Sequence, residues 1–144
     1  MAQRLPYPGL RAFGPEEADL FFGREGCVDS MVNRLASQRF LTVLGPSGSG
    51  KSSLVRTGLF DALEIGLYAS AGSRWQIADF HPGGRVMGNL ASALLASRGS
   101  VDGETLEADL LTTYLRRGPR AIAEWAADGN LEPATNLLIL VDQF

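Results

Sequence analysis

Apolar residues recur at two different periods along this chain, and each change of period marks a predicted element. The segment EGCVDSMVNRLASQ (25–38) carries apolar side chains at helical spacing: Val28, Met31, Val32 and Leu35. The next segment, FLTVL (40–44), is a short β-branched and aliphatic run, which predicts a buried strand. Gly45-Pro46 interrupts that run, so a turn must follow it.

A second helix and a second strand are predicted after the turn. KSSLVRTGLFDALEIG predicts a helix from about Lys51 to Glu64, with Gly66 just past its end. Its inward side chains are expected to be Leu54, Val55 and Leu59. WQIADF (75–80) predicts a strand that ends before HPGG.

Three further helices and a last strand are predicted in the second half. VMGNLASALLAS closes at Gly99, and ETLEADLLTTYLRRG stops at Gly118. The inward face of the second of these is expected to be Leu106, Leu110 and Tyr114. PRAIAEWAADG opens with Pro119 in its first turn and stops at Gly129. NLLILVD is a near-continuous apolar run, typical of a parallel strand covered on both faces. Because helices separate the strands, the order predicts crossover connections and a parallel sheet.

Composition and charge narrow the class of protein. The 144 residues are 45% hydrophobic and 20% charged, which suits one soluble globular domain. The net charge of −3 does not favour nucleic acid as a partner, because proteins that bind nucleic acid usually carry a basic surface. The single cysteine, Cys27, excludes an intrachain disulfide and is expected to be a buried thiol on the apolar face of its helix. No apolar stretch suits a membrane span or a signal peptide, so the sequence predicts a cytoplasmic protein.

One glycine-rich segment carries the candidate chemistry. The chain has thirteen basic residues, twelve of them arginines, and its only lysine is Lys51 in GPSGSGKSSL. The segment fits G-x-x-x-x-G-K-[ST], follows a predicted strand and opens a predicted helix, which is the context that a phosphate-binding loop requires. The candidate nucleotide-binding residues are Gly45, Pro46, Ser47, Gly48, Ser49, Gly50, Lys51, Ser52 and Ser53.

Each residue type in this segment has a physical reason. Glycines let the backbone bend around an anion with its N–H groups inward, and the start of the helix adds donors and a positive dipole end. Lys51 would reach the β- and γ-phosphates as a point charge, which the planar fork of an arginine does not reproduce. The Ser52 hydroxyl would ligate Mg²⁺. Asp142, at the end of the apolar strand LLILV, would hold the Mg²⁺ shell.

Four segments in this order resemble the N-terminal part of a STAND-class NTPase: the leader PYPGLRAF, FFGRE (21–25), GPSGSGKSSL and LLILVDQF. They are most similar to the bacterial group with PYPGLRPF-like leaders and a Walker B strand that runs into DQFEE. The resemblance implies an α/β fold of the three-layer P-loop NTPase type (ASCE or AAA-like), with a parallel sheet covered by helices on both faces. It also implies an arm with the GRE box (1–24) and a partial NTPase domain from Walker A to Walker B (25–144).

The resemblance further implies a regulatory ATPase switch. STAND proteins rest with ADP, exchange it for ATP, use Mg²⁺, and oligomerise to activate an effector, so self-association through the NTPase domain of the parent protein is expected. Lys51 and Asp142 would be its catalytic residues. The GRE segment of the family lies against the base and the sugar, which nominates Gly23 and Arg24. A surface ion pair of Arg24 with Glu25 explains that arginine equally well.

The family pattern breaks off at the end of this chain. Two glutamates are expected next, one of them polarising the attacking water, but position 143 is Gln, a poor general base. Families of this type also place a later strand between FLTVL and LLILV, so an incomplete sheet, a truncated product and negligible hydrolysis are expected. Whether the chain is an enzyme stays open at this level.

Two other functions fit part of the pattern. GPSGSGKSSL is also common in ABC-type transport ATPases, but those need an LSGGQ-like helix between the Walker motifs and a DEP after the strand. Residues 86–128 contain no such helix, and Asp142 is followed by Gln-Phe. A module that binds nucleotide without catalysis is favoured by the missing glutamate.

Overall fold

The structure, a computed structural model, describes residues 25–66, 72–99 and 104–143. Residue contacts divide the chain into two compact units, Met1–Ser73 and Arg74–Phe144. The predicted arm (1–24) with its GRE box lies outside the described residues, so its boundary stays a prediction.

The helix α1 (Glu25–Gln38) has the amphipathic face that its sequence predicts. Met31, Val32 and Leu35 are buried, and Val28 is half-buried. This stripe packs against the middle of the helix that follows the glycine-rich segment. Four apolar residues at helical spacing therefore hold α1 in the first unit.

One continuous helix covers residues 51–64, as the sequence predicts. It consists of α2 (Lys51–Ser53), a π-helical segment (Leu54–Leu59) and α3 (Phe60–Glu64). Its inward apolar residues include the three predicted ones: Leu54, Val55, Leu59, Ala62 and Leu63. Gly66 follows its end at φ 67°, a left-handed conformation that glycine adopts without strain.

The first unit also buries two hydroxyl side chains in this helix. Ser53 and Thr57 are both buried, and the Thr57 hydroxyl donates a hydrogen bond to the carbonyl oxygen of Ser53. Because the hydroxyl finds an acceptor within its own helix, Thr57 can lie in the apolar interior without a lost hydrogen bond.

The segment 40–44 is not a strand, and the prediction of one is wrong. It takes part in no ladder among the described residues, and Phe40 and Leu44 are 75% and 86% exposed. A β-branched and aliphatic run becomes a strand only where a neighbour pairs with its backbone N–H and C=O groups. The pattern of the run carries no information about that neighbour.

The second unit contains a two-stranded parallel sheet, which confirms two of the three predicted strands and their parallel orientation. β1 (Trp75–Phe80) pairs with β2 (Asn136–Val141) in a register that aligns Trp75 with Asn136 and Phe80 with Val141. The N–H of Asn136 donates to the carbonyl oxygen of Arg74 at 2.9 Å. The N–H of Asp142 donates to the carbonyl oxygen of Phe80 at 3.1 Å, so the ladder extends one residue past β2.

Helices fill the sequence between the two strands: α4 (Val86–Ala96), α5 (Glu104–Leu115), α6 (Ala121–Trp125) and a π-helical segment (Ala126–Asn130) that continues α6. Gly99, Gly118 and Gly129 have positive φ angles at the predicted ends of these helices. Pro119 precedes the last helix and does not open it, because α6 begins at Ala121. None of the helices in the described ranges is long and apolar enough to span a membrane.

The core of the second unit lies between one face of the sheet and these helices. β1 contributes Ala78 and Phe80, which alternate with half-buried neighbours as a strand requires. Leu137 and Ile139 of β2 pack against the same cluster. The helices contribute the remaining buried members: Leu90, Ala91, Leu94, Leu95, Leu111, Leu115, Ala121 and Trp125.

The helix α5 packs through a different face from the predicted one. Leu111 and Leu115 are buried, whereas Leu106 and Leu110 are 72% and 65% exposed. Tyr114 is half-buried. Two apolar stripes run along this helix at similar spacing, so periodicity does not choose between them. Packing against α4 and α6 decides which stripe is buried.

The predicted buried thiol is also wrong, because Cys27 is exposed. The inward stripe of α1 begins one residue later, at Val28.

The described residues form a small α/β architecture with a two-stranded parallel sheet and packed helices.

Truncation of Leu94 tests this packing, because the side chain is completely buried in α4. We expect Leu94→Ala to lower the free energy of unfolding by about 2–5 kcal/mol through the cavity it leaves. Urea unfolding followed by circular dichroism measures the change. Leu110→Ala is the matched control on the exposed face of α5 and should change the free energy by less than about 0.5 kcal/mol. Equal losses at the two positions would contradict the packing described.

Candidate functional site

The glycine-rich segment forms a tight loop directly before the helix of residues 51–64. Gly48 and Gly50 have φ angles of 75° and 79°, in the left-handed region that glycine enters without strain. The N–H of Ser49 donates to the carbonyl oxygen of Pro46 at 3.3 Å and closes a turn. A Cβ at Gly45 would lie 3.1 Å from Ser49 Oγ. The glycines therefore permit both the reversal of the chain and its close approach to itself.

The helix begins without a side-chain cap. Its N-cap residue is Gly50, and the N–H of Leu54 donates to the Gly50 carbonyl oxygen at 2.9 Å. The first N–H groups of a helix have no acceptor within the helix, and they carry the positive end of its dipole. An anion placed at this end would meet several backbone donors.

Lys51 folds back over the loop. Its Nζ donates to the carbonyl oxygen of Gly45 at 2.9 Å and to that of Pro46 at 2.8 Å. An ammonium has three N–H donors, so two carbonyl bonds leave one for an anion. The side chain is half-buried, which keeps the charge at the surface of the loop.

The predicted loop residues are brought together because they are contiguous, and their exposure falls toward the helix. The first four are exposed: Gly45, Pro46, Ser47 and Gly48. The next four are half-buried: Ser49, Gly50, Lys51 and Ser52. Ser53 is buried. The end of the loop that joins the helix is thus the more sheltered one.

Asp142 belongs to the second unit and lies directly after β2. The residue is half-buried, and its Oδ2 is shielded from solvent. Gln143 follows with φ 58°, so the extended backbone ends at Asp142. The carboxylate therefore stands at the carboxyl end of a parallel strand, where α/β sheets place ligands. The glycine loop belongs to the first unit.

His81 contacts Asp142, which the sequence analysis did not predict. Its Nδ1 lies 3.0 Å from the carbonyl oxygen of Asp142. Because a carbonyl oxygen only accepts, Nδ1 carries the donated hydrogen. His81 follows β1 as Asp142 follows β2, and the carboxyl ends of parallel strands meet at one edge of a sheet. That pattern of polar residues after two strands is the signal that could have predicted the contact.

Two other candidates from the sequence, Gly23 and Arg24, lie outside the described residues. Within the described ranges, no group of three or more His, Cys, Asp or Glu side chains could hold a metal ion by itself. A Mg²⁺ ion bound with nucleotide phosphates needs only one or two protein ligands, because it keeps several waters. Ser52 and Asp142 therefore remain suitable candidates.

A polar cleft of about 250 Å³ lies elsewhere in the second unit, between α4 and α5. Its lining includes Arg85, Asn89, Asp109 and Thr112. Among the described residues, its lining contains none of those predicted to bind nucleotide or metal.

Comparison with protein families assigns the chain to the STAND class of NTPases. The matching family is described as Novel STAND NTPase 1, and the match covers residues 6–144 of the 144-residue chain. The chain therefore belongs to the Novel STAND NTPase 1 family, which confirms the resemblance. Membership of an NTPase family suggests the use of nucleotide and metal. No curated protein and no solved structure matches the chain.

Replacement of Gly48 tests whether the loop needs its left-handed backbone. A Cβ at Gly48 meets nothing within 4 Å, so only the φ angle of 75° penalises alanine there. We expect Gly48→Ala to lower the free energy of unfolding by about 1–2 kcal/mol, measured by urea unfolding. Gly26→Ala is the matched control: its Cβ also meets nothing within 4 Å, but it lies in α1, where alanine should be neutral or stabilising. A similar loss at both glycines would count against this explanation.

Proposed function

We propose that this chain is the nucleotide-binding module of a STAND-type switch and that it binds Mg·ATP or Mg·ADP. The observation that carries the proposal is the Lys51 ammonium bonded across a glycine loop at the start of a helix. Membership of an NTPase family supports a nucleotide as the ligand.

The phosphates would meet three kinds of positive group at the loop. The first is the set of backbone N–H groups that the left-handed conformations of Gly48 and Gly50 allow to converge. The second is the positive end of the helix dipole, at the N–H groups of the first turn, which have no acceptor within the helix. The third is the ammonium of Lys51. The proposed binding residues are the predicted set: Gly45, Pro46, Ser47, Gly48, Ser49, Gly50, Lys51, Ser52 and Ser53.

The metal would be held by oxygen atoms from Ser52 and Asp142. Mg²⁺ prefers such hard ligands and completes its octahedron with phosphate oxygens and water. Ser52 lies in the first turn of the helix, one residue after the ammonium, and Asp142 ends a strand of the sheet. The Mg²⁺ ion would neutralise part of the phosphate charge and orient the phosphate chain.

The residues of this chain support nucleotide binding, and hydrolysis makes a further chemical demand. Lys51 and Asp142 would stabilise a transferred phosphoryl group, one directly and one through the metal. The attacking water also needs a group that takes its proton, and the exposed Gln143 can orient water but has no basic site. A module that binds nucleotide without hydrolysing it is the second candidate.

The wider features of the switch are part of the same proposal. They are the three-layer P-loop sheet, self-association through the NTPase domain, a contact of Arg24 with the nucleotide base or sugar, and a cytoplasmic location. Family membership supports the fold and the association. The single cysteine supports a reducing compartment, since no intrachain disulfide can form.

Titration calorimetry of the chain with Mg·ADP and Mg·ATP tests nucleotide binding. We expect Lys51→Ala to weaken both affinities at least about tenfold, because a hydrogen bond to a charged group contributes about 1.5–3 kcal/mol. Lys51→Arg keeps the charge but changes its shape, and it should restore only part of the affinity. Circular dichroism confirms that each variant is folded. A folded wild-type chain that binds neither nucleotide would overturn the proposal, as would unchanged binding by Lys51→Ala.

Replacement of Asp142 tests the metal role separately from phosphate binding. The measured quantity is the magnesium gain, defined as the Kd of ADP with excess EDTA divided by the Kd with Mg²⁺. We expect Asp142→Asn to reduce this gain and to leave the metal-free Kd unchanged, because the amide loses the charge that attracts the ion. Asp109→Asn, on the exposed surface of α5, is the matched control and should keep the wild-type gain. A wild-type gain in Asp142→Asn would remove Asp142 from the metal site.

A further inference from the structure

We propose that His81 is a positioning residue that fixes the main chain of Asp142 and thereby aims its carboxylate at the metal. This inference rests on the proposed metal role of Asp142. His81 is the only histidine of the chain, so the sequence offers no second histidine for a metal site. The sequence therefore gives His81 no function. In the structure, its imidazole ring contacts the peptide of Asp142, the residue of the second unit to which the proposed function gives a metal-binding role.

The Asp142 backbone is held at both of its polar groups. Its N–H donates to the carbonyl oxygen of Phe80 at 3.1 Å, and its carbonyl oxygen accepts from His81 Nδ1 at 3.0 Å. Both partners come from the end of β1 or the residue after it. Strand pairing accounts for the first bond, but β2 has already ended at Val141, so the second bond depends on the imidazole.

His81 is itself fixed to α4 through Asn89. Asn89 Nδ2 donates to the carbonyl oxygen of His81 at 3.0 Å and to that of Pro82 at 3.1 Å. Pro82 is buried, and α4 packs on β1 through the core of the unit. A chain of hydrogen bonds therefore runs from α4 through Asn89 and His81 to the Asp142 peptide.

The consequence for the metal follows from the coordination chemistry of Mg²⁺. This ion demands near-ideal octahedral geometry, so a small rotation of a ligating carboxylate weakens its bond. Loss of the His81 donor would remove one of the two hydrogen bonds described above that hold the Asp142 peptide, at the point where the chain leaves the extended conformation for φ 58° at Gln143. The proposed phosphate contacts come from the glycine loop and the Lys51 ammonium and not from His81, so phosphate binding should not change.

The test is the magnesium gain for ADP, measured by calorimetry on the whole chain. We expect His81→Ala to lower this gain by about three- to tenfold, the size expected of one hydrogen bond, while the Kd in EDTA stays at the wild-type value. His81→Asn should keep most of the gain, because its amide nitrogen can donate from nearly the position of Nδ1. A purely structural role of His81 would change both Kd values together.

Asn89 provides a second variant with a matched control. Asn89→Ala releases the two carbonyls of the His81 loop and should lower the magnesium gain in the same direction as His81→Ala. Asn130→Ala removes the bond from Nδ2 to the Trp125 carbonyl oxygen at 2.7 Å and the bond that Oδ1 accepts from Arg98 at 2.7 Å, and neither partner belongs to the His81 loop. It should keep the wild-type gain.

The outcomes separate this inference from the proposal it rests on. A wild-type chain without a magnesium gain overturns both. A wild-type gain that His81→Ala retains, or an equal loss of affinity in EDTA and in Mg²⁺, overturns only the role of His81. Should His81→Ala fail to fold, Asn89→Ala decides: a reduced gain supports the inference, and an unchanged gain overturns it.

Discussion

The parallel ladder between β1 and β2 is the interaction on which the second unit depends. Parallel strands cannot be joined by a tight turn, so the chain between them must cross over the sheet. That crossing is made by α4, α5 and α6, which bury one face of the sheet and form the core with it. The same ladder sets Phe80 opposite Val141, and this register brings His81 and Asp142 to one edge.

The glycine loop of the first unit depends on much shorter-range interactions. Its conformation comes from two left-handed glycines, one turn hydrogen bond and the start of the helix that follows. All of these lie between residues 45 and 54, so no distant pairing is needed to form them. The glycine loop is therefore stabilised locally, whereas the Asp142 backbone is held by a ladder between distant segments.

This difference explains what the sequence could predict. The helix of 51–64 and its inward side chains follow from contiguous residues, and so does the left-handed position of Gly66. The segment 40–44 was predicted wrongly because strand formation depends on a partner that local sequence does not contain. The face of α5 was predicted wrongly because the helix carries two apolar stripes, and only packing selects Leu111 and Leu115. The contact of His81 with Asp142 joins residues 61 positions apart, which no local period encodes.

The chain has twelve arginines and a single lysine, and the geometry of the glycine loop explains why this position is a lysine. One nitrogen atom, Lys51 Nζ, donates to two consecutive carbonyl oxygens, those of Gly45 and Pro46. An ammonium still has a third N–H on that same atom, whereas each terminal nitrogen of a guanidinium carries only two. An arginine that reproduced both carbonyl bonds from one nitrogen would have no donor left on that atom for a phosphate. The composition of the chain therefore tolerates arginine at other basic positions, while the proposed chemistry requires lysine at this one.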